Sequence, residues 1–77
     1  MWKYVRYEGE SRKAFEATDH WKNKEDGITY YRLHCMYWFG DWIETQSTDS
    51  WKAYGAPYRA IYIVTEQLMT LIRLKWL

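Results

Sequence analysis

The chain has one cysteine and one proline in 77 residues, four glycines, no charge excess of either sign and no long apolar run. A lone thiol, Cys35, excludes an internal disulfide framework and leaves a cysteine metal site without its second ligand. It suits a reducing compartment, so a cytoplasmic location is expected. The most apolar stretch, Ala60 to Ile72, covers thirteen residues and is interrupted by Glu66. That is too short to cross a bilayer, and MWKYVRYEGE lacks the apolar core of a secretory signal. Residues 1–27 hold six cations and six anions, and residues 28–77 hold five and four. Bulk attraction to nucleic acid is therefore not expected.

Aromatic side chains are plentiful: six Trp, eight Tyr and two Phe make up 21% of the chain. That is too much apolar surface for a disordered segment. A chain of this length buries only about 60% of its unfolded surface, so large rings are an economical way to build a core from few positions. Residues 1–77 are expected to form a single compact domain.

Residues 2–8, rich in Trp, Tyr and Val, read as a first strand ending at Gly9. From Arg12 to Asn23 the helical period places Ala14, Ala17, Thr18 and Trp21 on one side. Strict strand alternation would put Asp19 on the same face as Phe15, Ala17 and Trp21, so a helix over 12–23 is predicted, capped by Ser11. Gly27 suits a positive φ in the turn that follows. Ile28 to Phe39, dense in β-branched and aromatic residues, reads as a strand. Gly40-Asp41 reads as a turn and 42–46 as the returning strand. The polar segment 47–50 leads into a short turn around residues 51–54, and Pro57 opens a helix over 57–75 carried by Ile61, Val64, Leu68 and Ile72. A strand over 58–65 followed by a shorter helix is the alternative. The resulting order, β-α-β-β-α, predicts an α+β two-layer sandwich in which two helices cover one face of a three-stranded sheet.

No residue pattern points to catalysis. Cys35 and His34 are adjacent on a strand and so face opposite ways, whereas a nucleophile needs its base within hydrogen-bond reach. No HxxxH, HExxH or CxxC spacing gathers metal ligands, and no GxGxxG or GxxxxGK[ST] loop cradles a phosphate. The carboxylates are scattered. No enzyme, cofactor or metal is expected.

The face of the sheet away from the helices is where function is expected. If Tyr31, Leu33, Cys35, Tyr37 and Phe39 point to the core, alternation turns Tyr30, Arg32, His34, Met36 and Trp38 outward. Trp2, Tyr4 and Arg6 on the first strand, with Trp42 and Glu44 on the third, extend the patch. Trp, Tyr and Arg dominate recognition hot spots. The chain is thus expected to be a small non-enzymatic protein-binding module that occludes a partner macromolecule, as an inhibitor of a host machine made by a phage or mobile element does. The alternative is a single-stranded nucleic-acid-binding domain that stacks bases on the same rings. On the last helix, Ile63, Thr70, Leu74 and Leu77 form a narrow seam suited to pairing with a second copy as a homodimer.

Overall fold

The computed structural model of the chain describes the backbone of residues 2–7, 10–54 and 61–76 and the side chains of 14–54 and 61–76. Its elements are β1 (Trp2–Tyr7), β2 (Glu10–Lys22), β3 (Thr29–Cys35), α1 (Tyr37–Ile43), β4 (Trp51–Tyr54), β5 (Ile61–Thr65) and α2 (Glu66–Trp76). The strands form one sheet in the order β1-β2-β3-β5-β4, every neighbouring pair antiparallel. The α+β class is as expected. The sheet has five described strands where three were expected, and the order is β-β-β-α-β-β-α.

The predicted helix over 12–23 is instead β2, which lies between β1 and β3. Two register shifts explain why its alternation looked wrong. Opposite β1 the pairing skips Ala14, and opposite β3 it runs from Ala17↔Leu33 to Asp19↔Arg32, leaving Thr18 as the extra residue. A bulge reverses the parity of everything beyond it. Phe15 and Ala17 therefore pair beside the core residues Cys35 and Leu33, while Asp19 and Trp21 turn to the other face. The tight connection to β3 uses Gly27 at φ 71, as expected, with its N–H bonded to the Asn23 carbonyl at 2.8 Å.

The strand predicted over 28–39 ends at Cys35, and the chain then turns into α1. Phe39 and Ile43 stand one turn apart and are fully buried with Gly40 between them. Trp38 and Trp42 repeat that spacing at the margin of the core. This is helical periodicity, which the assumption of a turn at Gly40 conceals. Residues 51–54, expected as a turn, form the edge strand β4. The predicted helix over 57–75 divides as the alternative described: β5 carries Tyr62 and Val64 inward, and α2 follows at once. The Thr65 hydroxyl caps α2 by accepting the Leu68 N–H at 3.2 Å. Glu66 in its first turn and Arg73 and Lys75 in its last suit the helix dipole.

Leu33, Cys35, Phe15, Tyr62 and Val64 from the sheet pack in one cluster with Phe39 and Ile43 of α1 and Leu68, Met69 and Ile72 of α2. Both helices thus cover the same side of the sheet. Trp76 closes the seam between them, its ring 6.0 Å from Trp38, 5.8 Å from Phe39 and 5.6 Å from Trp42. Among the described residues no helix is long and apolar enough to cross a membrane.

Candidate functional site

The side of the sheet opposite α1 and α2 is ordered in rows that run across the strands. Pairing aligns Trp21 with Tyr30 and Thr65, Asp19 with Arg32, Ile63 and Lys52, and Glu16 with His34, Ile61 and Tyr54. Rows on one face lie about 7 Å apart, and neighbours within a row about 5 Å. Tyr30, Arg32 and His34 are on this side as expected. Trp21, Tyr54 and Lys52 join them although the sequence reading had placed them in a helix and a turn.

Each key side chain has a local cause for its position. Trp21 stacks beside Tyr30 with ring centroids 6.1 Å apart and remains 39% exposed. The Tyr30 hydroxyl donates to Asp26 Oδ2 at 2.7 Å, while the Ile28 N–H binds the other oxygen at 2.8 Å. These bonds hold the Asp26 carboxyl below its ordinary range and raise the Tyr30 phenol. Arg32 is steered by the Thr18 bulge: its Nε–H donates to Thr18 Oγ1 at 2.9 Å, and that hydroxyl in turn donates to the Arg32 carbonyl at 3.3 Å. A groove of about 270 Å³ runs over Trp21, Tyr30, Ile63, Thr65, Lys52 and Tyr54, with Asp49 also lining it. Tyr54 is half exposed at its far end.

Several expected members of the patch lie elsewhere. Met36 is the residue preceding α1, Trp38 and Trp42 are on α1 against the core, and Glu44 is its C-cap. They leave the sheet face because the strand ends at Cys35. The Glu44 carboxylate accepts the Tyr62 hydroxyl, and burial followed by this bond raises the Tyr62 phenol. Trp38→Ala is accordingly expected to destabilise the fold, contrary to the sequence expectation of a dispensable surface ring. Trp2, Tyr4 and Arg6 belong to β1, but their side chains lie outside the described residues.

The four residues of the expected self-association seam do not all lie on one helix. Ile63 lies on β5 in the open sheet face, because α2 begins only at Glu66. Thr70 bonds its own helix through the Glu66 carbonyl at 2.9 Å, Leu74 is 80% exposed beside Leu71, and Leu77 lies outside the described residues.

Cys35 and His34 face opposite sides of β3, and burial pushes the thiol up to about 12. A thiol reagent at pH 8 is expected to label Cys35 only as fast as the chain unfolds, measured by absorbance in native buffer against urea. Prompt stoichiometric labelling of the folded protein would contradict the burial. Among the described residues no group of three or more His, Cys, Asp or Glu is placed to hold a metal ion.

Among the described residues the fold is α+β, with both helices on one surface of the sheet and none on the other. Comparison of the chain with family models, curated proteins and solved structures finds no match.

Proposed function

We propose that this chain is a small non-enzymatic protein-binding module that occludes a partner macromolecule with the open face of its sheet. The observation that carries the reading is one-sided cover. Both helices join the core on one side, while Trp21, Tyr30, Arg32 and Tyr54 lie on the other, where a groove is lined by Trp21, Tyr30 and Tyr54. Trp and Tyr supply a large contact area with two side-chain torsions each, so ordering them on binding costs little entropy. Arg32, held through Nε, turns its terminal nitrogens to a partner with less rotamer freedom left to lose. Near-neutral net charge lets shape set specificity more than long-range attraction does.

Immobilised protein is expected to capture a partner whose recovery collapses with Trp21→Ala and with Arg32→Ala. Each substitution should weaken binding by about 30-fold or more, the size of a hot-spot loss. Both variants should keep a folded circular dichroism spectrum. Undiminished capture by both would refute the reading.

A further inference from the structure

The middle row of the open face carries two cations, Arg32 and Lys52, with Ile63 between them. Two interstrand steps separate their Cβ atoms by about 10 Å. Neither has a carboxylate within ion-pair distance among the described residues, whereas Arg73 and Glu66 stand 3.7 Å apart. The nearby acids keep their charge but accept other hydrogen bonds, and none forms an ion pair with either cation among the described residues. Asp19, next to Arg32 in the row, accepts the His20 N–H at 2.8 Å; Asp26 is held by Tyr30 and Ile28; Asp49 accepts the Ser47 hydroxyl at 2.7 Å.

We infer that this row receives an acidic helical segment of the partner, its two carboxylates on Arg32 and Lys52 and an apolar side chain between them on Ile63. This deepens the reading of the face as a protein-binding surface and rests on it. The spacing supports a helix. Residues i and i+7 lie about 10.5 Å apart on one side of an α-helix, with i+3 and i+4 midway. An extended segment presents same-side residues at about 7 or 13 Å and fits less well. The Arg32 fork, fixed by Thr18, offers its two terminal nitrogens to one carboxylate, a charge-assisted bidentate contact. A partner's aromatic or aliphatic side chain one row away enters the groove beside Trp21 and Tyr30. The face is less suited to a nucleic-acid strand, because two cations beside the carboxylates of Asp19, Asp26 and Asp49 supply little of the multiple phosphate neutralisation that such binding depends on.

The test uses amide chemical shifts of the full chain titrated with a capped peptide helix that has Glu at i and i+7 and Leu at i+3 and i+4. The expected result is saturable shifts centred on Arg32, Ile63 and Lys52. Affinity should fall about tenfold when the peptide's Glu residues become Gln, and by a similar factor in Arg32→Gln or Lys52→Gln protein with an otherwise unchanged spectrum. Absence of saturable shifts at millimolar peptide, or equal affinity for the Gln peptide, would overturn the inference. So would tighter binding of a single-stranded oligonucleotide to the same residues with a steep loss on added salt, which would point to nucleic acid. If capture of a protein still depends on Trp21 and Arg32 while the acidic helix fails, the module reading stands and its acidic ligand does not. If neither occurs, both fail.

Discussion

Phe39→Ala is expected to remove a large share of the stability of this protein. The ring is fully buried and sits where both helices meet the sheet: it stacks on Phe15 at 5.1 Å, takes the edge of Trp38 at 5.8 Å, and lies 5.8 Å from both Trp42 and Trp76. Truncating a buried phenylalanine costs about 3–5 kcal/mol, the lost transfer energy plus the cavity left behind. A chain of this length has roughly 4–12 kcal/mol in total. The surrounding rings come from three different elements, β2, α1 and α2, and are packed against one another, so they cannot close the gap by small rotations. Urea unfolding followed by tryptophan fluorescence should show the midpoint falling to low denaturant, or no folded baseline at all. A loss of less than about 1 kcal/mol would mean that α1 does not dock as described.

The second large effect concerns Gly40, the smallest residue in α1. In an exposed helix, replacing glycine by alanine gains about 1 kcal/mol. Here a Cβ would meet Tyr62 at 2.8 Å from its hydroxyl oxygen and 2.9 Å from Cε1. The tyrosine has little room to retreat, since its ring is buried on β5 and its hydroxyl is bonded to Glu44. Overpacking of this kind costs about 1–3 kcal/mol, which exceeds the helix gain, so Gly40→Ala is expected to lower the melting temperature. On a Tyr62→Leu background, itself destabilised, the same substitution should become neutral or favourable. If Gly40→Ala stabilises the wild-type chain, the close approach of α1 to β5 is wrong.

These two positions also show why parts of the fold were legible and others were not. β3 reads correctly through Cys35 because its inward residues Leu33 and Cys35 alternate without interruption. β2 does not, since the bulges at Ala14 and Thr18 each shift the alternation, and a pattern with two phase breaks imitates a helical period over twelve residues. Gly40 misled in another way. Glycine commonly marks a turn, but here it is selected by the close passage of Tyr62, a contact twenty-two residues away in sequence. At β5, the stripe of Ile61, Val64, Leu68 and Ile72 matches a helix. The ladder partners offered by β3 and β4 override it up to Thr65.

The open face was partly legible for the same reasons. Tyr30, Arg32 and His34 follow from simple alternation along β3. Trp21 reaches that face only through the parity change at Thr18, and Tyr54 and Lys52 only because β4 pairs with the far side of β5. Trp38 and Trp42 looked like surface residues as long as a strand was assumed; one helical turn between them makes both part of the core margin.

Composition and local pattern by themselves determined that this chain builds an aromatic core of α+β type, with Tyr31, Leu33 and Cys35 inward and Tyr30 and Arg32 outward. Those properties depend on side-chain chemistry and on periods of a few residues. Tertiary structure decided the strand order, the places where alternation slips, the helix after Cys35 and the membership of the open face. Each of these depends on which distant segment supplies the hydrogen bonds and the packing surface, and that choice minimises the energy of the whole chain, so no short window contains it.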